Sequence, residues 1–338
     1  MLRVLLTGAT GFVGKNVQQY LEQKYEVVGI GSTPWDLRKQ GDCESLLSEV
    51  NPDVVIHAAG TVGGIGANRE NPGKFMYENL IMGTNIIHES MRQQISKFIL
   101  LGTVCSYPKF TEVPFKESDI WLGYPEETNA PYGIAKKALM KLVDTYNEQY
   151  GLNGVNLIPV NMYGPHDHFN LTSSHVIPAL ILKVRNAIKT QASSISIWGT
   201  GQASREFLFA ADLGRAMELA IDKDVPCDPI NIGTGKEIKI CDLVSTVCDL
   251  MNYDGDIVYD TSKPDGQPRR CLDTQLAREV LGFQAQTSLR EGLQRTINWF
   301  LANENSLNAT QNSKGSSDVM VQAPKNLNSK DVMSEDRL

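Results

Sequence analysis

The run VLLTGA (4–9) is continuously apolar, the pattern of a strand buried on both faces. Gly11 to Lys24 then places Val13, Val17 and Leu21 on one helical stripe. YEVVGI (25–30), DVVIHAAG (53–60) and FILLGTV (98–104) predict three further strands, separated by helical patterns such as Tyr77 to Gln94. Strand alternating with helix implies right-handed βαβ units and a parallel sheet. Beyond residue 150, GVNLIPVNMYGP (154–165) predicts a strand ending in a loop, and HVIPALILKVRNAI (175–188) a helix. ISIWGTG (195–201) predicts a short strand and turn, and PINIGTG (229–235) a strand that rejoins the sheet. The expected architecture is therefore α/β: a Rossmann-type doubly wound parallel sheet with a smaller C-terminal α/β substrate domain.

Three segments are expected. Residues 1–165 form a nucleotide-binding domain with returning segments near 205–235, residues 166–302 mainly bind substrate, and 303–338 are a disordered polar tail. The tail has six Asn and six Ser in 36 positions and no aromatic residue. Such a segment buries too little apolar area to offset its ordering entropy.

Composition narrows the function. The 338 residues hold 32 Lys+Arg against 39 Asp+Glu, a net charge of −7. That balance argues against a general nucleic-acid binder. No run of 18 or more apolar residues predicts a membrane span. Six cysteines without a CxxC pair, and no secretory signal at the start, read as free cytosolic thiols.

Gly8-x-x-Gly11-x-x-Gly14 follows the first strand and opens a helix. Glycines there permit a tight turn and close backbone approach to a pyrophosphate, which the helix N-terminus attracts. The second strand ends Gly29-Ile30-Gly31-Ser32, with no acid before Asp36. An acid at that strand end would select NAD, so its absence favours NADP(H). Arg38 is the nearest cation for a 2′-phosphate, or else a solvated surface charge.

Tyr132 and Lys136 stand four apart on a predicted helix and so share one face. An ammonium beside a phenol is expected to lower the phenol's pKa and to suit Tyr132 to proton donation. Together the glycine loop and the Tyr-x-x-x-Lys pair resemble the extended short-chain dehydrogenase/reductase family. The resemblance assigns Thr103, at the end of a predicted strand, to complete a triad. Sugar dehydratases of that family carry an Asp-Glu pair where Val104-Cys105 stands here, which disfavours dehydration.

Within the family, the chain is similar to enzymes that epimerise C3 and C5 of GDP-4-keto-6-deoxymannose and reduce C4. The similarity rests on AAGTVGGIGAN (58–68), LLGTVCSYPK (100–109), NAPYGIAKK (129–137), NMYGPHDHF (161–169), SHVIPALI (174–181), WGTGQASREFL (198–208) and KPDGQPRR (263–270). It implies that Tyr132, Lys136 and Thr103 serve reduction, and that Cys105 and His175 are the base and acid of epimerisation. It assigns Lys183, Trp198, Arg205 and Asp265 to the GDP-sugar, with Arg269 or Arg270 adding charge toward the diphosphate; Arg270 is the preferred of the two. Cofactor contacts implied are Gly8, Ala9, Thr10, Gly11, Phe12, Val13, Gly14, Gly102, Thr103, Tyr132, Lys136, Pro159, Val160, Asn161, Met162 and His175. A homodimer built on the helices at 77–94 and 132–150 is implied as well. His166 and His168 compete with His175, and no metal is expected at His166-Asp167-His168, because no carboxylate or Cys cluster completes a site. Lys183 stands where Arg is common and Val104 where a second Ser is common, which loosens the choice of sugar. Two other readings are a reductase or epimerase acting on a related nucleotide sugar, and a non-catalytic NADPH sensor or scaffold.

Overall fold

A computed structural model describes residues 1–314, apart from positions 64, 172, 173 and 264. Three βα units open the chain: β1 (Arg3–Thr7), α1 (Phe12–Leu21), β2 (Glu26–Ile30), α2 (Gln40–Val50), β3 (Val54–His57), α3 (Ile65–Glu70) and α4 (Pro72–Arg92). β4 (Lys97–Leu101), α5 (Ala130–Tyr150) and β5 (Gly154–Pro159) continue the same alternation. The first strands pair in parallel, as the apolar runs required. β3, β4 and β5 are buried along their whole length, because helices cover both faces of a sheet built from crossovers.

The predicted strand at 154–165 divides in two. β5 stays in the main sheet, and β6 (Asn161–Tyr163) pairs instead with β8 (Ser204–Phe209). Later elements are α6 (Val176–Thr190), β7 (Ser194–Trp198), α7 (Ala210–Asp222), β9 (Pro229–Ile232), β10 (Glu237–Lys239), α8 (Ile240–Leu250) and β11 (Asp256–Asp260). β9 returns to the main sheet, whose order is β2-β1-β3-β4-β5-β9. A three-stranded sheet β10-β8-β6 and a two-stranded sheet β11-β7 carry the remainder.

Glu206 ties the smaller sheet to the larger. Its side chain is fully buried, and its oxygens accept from the amides of Thr234 (2.5 Å), Gly235 (2.8 Å) and Leu272 (2.7 Å). Buried carboxylates persist only with such donors. Side chains alternate along a strand, so Glu206 turns inward while neighbouring Arg205 faces the other way.

The sheet order reverses between β1 and β3, and open α/β sheets bind ligands at such a switch point, beyond the carboxyl ends of their strands. Gly8 abuts Ala59 there: a Cβ on Gly8 would lie 2.8 Å from the Ala59 backbone, and its φ of +75° favours glycine.

Met1–Phe300 forms one compact unit and the chain from Leu301 a second. The final helix, α9 (Leu289–Lys314), corrects the expected start of disorder at 303, for the chain remains helical to Lys314. A helix already nucleated extends at little cost through Asn, Leu, Ala and Gln, and Gly315 is the first strong breaker. The rest of the expected tail, 315–338, lies outside the described residues.

Candidate active site

The glycine loop has two structural glycines and one free one. A Cβ at Gly14 would sit 2.1 Å from the Gly8 carbonyl oxygen and 2.6 Å from Ala9 Cα. The loop therefore requires glycine at 8 and 14 for its own packing. Gly11 is exposed, with φ −82°, and its Cβ would meet only the Gly8 oxygen at 3.3 Å. Gly11 also caps α1 without a side-chain hydrogen bond, which leaves the first amides of the helix pointing outward. A cradle with an open middle glycine and uncapped amides fits a dinucleotide pyrophosphate. Arg38 is exposed and held by Asp36 at 2.8 and 2.9 Å and by Glu78 at 3.1 Å.

The predicted triad converges at the carboxyl end of β4. Thr103 caps a 3₁₀ turn (Val104–Ser106), its Oγ1 accepting from the Cys105 amide at 3.2 Å. Pro131 in the first turn of α5 and left-handed Gly151 at its end delimit a helix that carries both Tyr132 and Lys136. The Tyr132 phenol lies near enough to Thr103 and Cys105 for both to act on its pKa. Lys136 Nζ donates to the Leu101 carbonyl at 3.0 Å. Gly133 allows α5 to approach the Cys105 carbonyl, and Ser106 Oγ donates to the Gly133 oxygen at 3.0 Å.

One electrostatic expectation is overturned. The Tyr132 pKa is raised, not lowered, because burial dominates and Cys105 adds to it, while Thr103 only partly offsets them. The ammonium that was to lower it is itself desolvated, and burial brings the Lys136 pKa down to about 8. Tyr132 thus remains a protonated phenol at neutral pH, as a proton donor must.

His175 is the N-cap of α6 and keeps part of its surface open to solvent. The surrounding protein and then neighbouring His168 hold its pKa below the ordinary value. Among the described residues it makes no hydrogen bond to Cys105 or Tyr132. His166 is engaged elsewhere, with φ +66° and its ring 4.7 Å from that of Trp299.

The positive residues sort themselves. Arg269 pairs with Glu237, its Nε donating to Oε1 at 2.9 Å. Arg270 instead lines a crevice with Cys105, Tyr107, Glu126, Asn129 and Gln267. Arg205 does not pair with neighbouring Glu206, whose oxygens accept from backbone amides. It donates to the Ser204 carbonyl at 2.7 Å and to the Asp265 carbonyl at 3.4 Å. Burial, then repulsion from Arg270, lowers its pKa to about 10. Arg270 thus acts on Arg205 through its charge, and two such guanidiniums have the chemistry to accept an anion. The Asp265 carboxylate accepts from the amide and hydroxyl of Thr200, both at 2.7 Å, and braces the turn at Gly199. Trp198 is 67% exposed, with Lys183 and Lys263 Nζ 5.9 and 5.8 Å from its ring centre. Lys183 also donates to the Ser196 carbonyl at 2.9 Å. Gly102, Pro159, Val160, Asn161 and Met162 lie at or just beyond the carboxyl ends of β4 and β5, with Gly102 bonded to Leu157 and Asn161 to Glu206.

His57 lies beside the site as well, unmarked by any sequence motif. Its Nδ1 lies 3.0 Å from Thr7 Oγ1, which also accepts from the Ala59 amide at 3.2 Å. Burial first, and then Lys136, keep this imidazole neutral. The signal was available as a lone His at the end of an apolar strand, but only the fold sets it beside Lys136. Asn79 is likewise unmarked: it bonds both backbone groups of Thr61 beside the switch point.

Comparison with known proteins adds to the geometry. A model of the NAD dependent epimerase/dehydratase family matches residues 4–233. A GDP-L-fucose synthase of Sinorhizobium fredii is 40% identical over 302 residues, covering 89% of this chain and 96% of that protein. A GDP-L-colitose synthase of Yersinia pseudotuberculosis is 37% identical, covering 90% of this chain and 99% of that one. Among solved structures, a GDP-L-fucose synthetase from Naegleria fowleri bound to NADP superposes with a TM-score of 0.82 at 28% identity, covering 90% of this chain and 95% of that one.

Proposed function

The chain belongs to the NAD dependent epimerase/dehydratase family, and we propose that within it the protein makes GDP-L-fucose from GDP-4-keto-6-deoxymannose. It is an NADP-dependent enzyme that inverts C3 and C5 and then reduces the C4 ketone. The observation that carries this reading is the convergence of Thr103, Cys105 and Tyr132 at the end of β4, with Lys136 one turn further along α5.

The residues divide the work. The amides after Gly11 and the cradle between Gly8 and Gly14 would hold the cofactor diphosphate, and Lys136 would bind the nicotinamide ribose. Ala9, Thr10, Phe12, Val13, Gly102, Pro159, Val160, Asn161, Met162 and His175 complete its walls. Bound NADPH supplies hydride to C4. Cys105 takes a proton from the carbon beside the ketone, and the electron pair moves onto O4. Tyr132 and Thr103 stabilise that charge as hydrogen-bond donors. His175 returns a proton to the opposite face, which inverts the centre. Tyr132 then protonates O4 as the ketone is reduced. Arg205 and Arg270 grip the diphosphate, while Trp198, Lys183 and Asp265 bound the rest of the GDP-sugar. Residues 166–302 act as the substrate-binding part and 1–165 as the cofactor-binding part. The protein works in the cytoplasm as a homodimer that pairs α4 and α5 of two copies; no helix among the described residues is long and apolar enough to cross a membrane.

Incubation with NADPH and GDP-4-keto-6-deoxymannose tests the proposal. Absorbance at the nicotinamide band should fall, and NMR should identify a product inverted at C3 and C5. Cys105→Ser should abolish inversion. No NADPH consumption would reject the reading. Likeness to the colitose synthase supports a second one, a related GDP-4-keto sugar, which a panel of such substrates would reveal by a higher kcat/KM.

A further inference from the structure

Cys105 sits on a turn held from two sides. Upstream, Thr103 caps the turn two residues beyond the end of β4. Downstream, the first residue after the turn is Tyr107, which is 3% exposed. Its hydroxyl donates to Asn231 Oδ1 at 2.7 Å, across 124 residues of chain. Asn231 is fully buried on β9, and its backbone amide and side-chain nitrogen are engaged as well. Nδ2 donates to the carbonyls of Phe115 (2.9 Å) and Asp273 (3.1 Å), and the amide donates to Glu117 Oε1 at 3.0 Å. The Tyr107 ring packs on Phe115, with centres 5.2 Å apart. A buried network whose side chains are hydrogen-bonded in this way favours one geometry, so it fixes the position of what it carries.

Two of the reductive groups, Tyr132 and Lys136, have further supports of their own. Tyr132 and Lys136 are placed by α5, and Lys136 is tied to the Leu101 carbonyl. None of these contacts passes through Asn231. We infer that Tyr107 and Asn231 are positioning residues for the Cys105 thiol, so that the anchor on β9 sets epimerisation while α5 and β4 set reduction. The inference rests on the epimerase-reductase reading above.

Tyr107→Phe removes one hydroxyl and keeps the ring packing; Asn231→Ala is the harsher companion, and melting temperatures accompany both. With GDP-4-keto-6-deoxymannose and NADPH in D2O, wild type should deuterate C3 and C5 and release inverted product. In Tyr107→Phe, deuterium incorporation should fall at least tenfold relative to C4 reduction, and reduced sugar that keeps its original C3 and C5 configuration should accumulate. Inverted product at an unchanged ratio overturns the inference, as does a parallel fall of both activities, which marks a merely structural role. If wild type itself is inert, the functional reading fails, but the anchor remains testable by the rate of Cys105 alkylation with iodoacetamide, read by peptide mass spectrometry. Tyr107→Phe should change that rate at least threefold with Cys241 unaffected, and an unchanged Cys105 rate overturns the inference.

Discussion

Lys136 offers a direct measurement of what the site costs the fold. The side chain is 3% exposed, and burial lowers its pKa from 10.5 to about 8. Below pH 8 both the folded and the unfolded chain carry the ammonium, and the burial penalty acts in full. Between about 8 and 10.5 the unfolded chain holds one proton that the folded chain has released. Stability must therefore rise with pH across that window, by ~1.4 kcal/mol per unit and ~3 kcal/mol in total. Lys136→Met removes this titration. It also leaves the Leu101 carbonyl without its donor, a loss of ~1–3 kcal/mol that shifts the variant's curve without tilting it. Urea unfolding of both proteins from pH 7 to pH 11 isolates the group, since every other titration appears in both. The wild-type minus variant difference should be flat below about pH 7, climb through 8 to 10.5, and level off. Parallel curves across the window would refute the reasoning and mean that Lys136 keeps an ordinary pKa. Because the ammonium is the form proposed to act beside the cofactor, kcat should decline as pH passes upward through about 8.

The glycines and the exposed tryptophan give contrasting tests. Gly14→Ala should destabilise the fold by ~3 kcal/mol or more, since its Cβ would strike backbone at 2.1 Å. Gly11→Ala should cost under ~1 kcal/mol, yet weaken NADPH binding at least tenfold by fluorescence titration; unaltered affinity would remove Gly11 from the diphosphate site. Trp198→Ala should leave the melting temperature nearly unchanged, because the ring is 67% exposed. It should raise KM for the GDP-sugar roughly tenfold, the size of a lost stacking contact of ~1–3 kcal/mol, with kcat preserved. A large fall in kcat instead would place Trp198 nearer the reacting atoms than the diphosphate and base.

Charge behaves differently outside the site and within it. The chain is acidic overall, at −7. Yet among the described residues no carboxylate is ion-paired with Arg205 or Arg270, and Lys183 flanks Trp198. The net charge describes the exterior and leaves the proposed diphosphate site undescribed.

Local pattern was enough for the βαβ alternation, the glycine loop and the shared face of Tyr132 and Lys136. A doubly buried strand must be apolar throughout, a tight turn over a diphosphate must be glycine, and Tyr132 and Lys136 share a face by helical period alone. These are short-range constraints, written in neighbouring residues. Other outcomes needed the chain to close on itself. Strand 154–165 split between two sheets because distant β8 and β9 offered edges on different sides. Arg269 and Arg270 are adjacent in sequence, but only one faces the crevice, and the choice rests on Glu237 across the fold. The Tyr132 phenol went up in pKa when helical spacing said down, because burial is a property of everything packed around a residue and is not recorded in its spacing from a lysine. The Tyr107–Asn231 bond spans 124 positions. Periodicity and motif determined which groups this protein possesses; tertiary packing decided which are dry, which are paired and which are left facing the ligand, since desolvation and hydrogen bonding depend on residues far away in the chain.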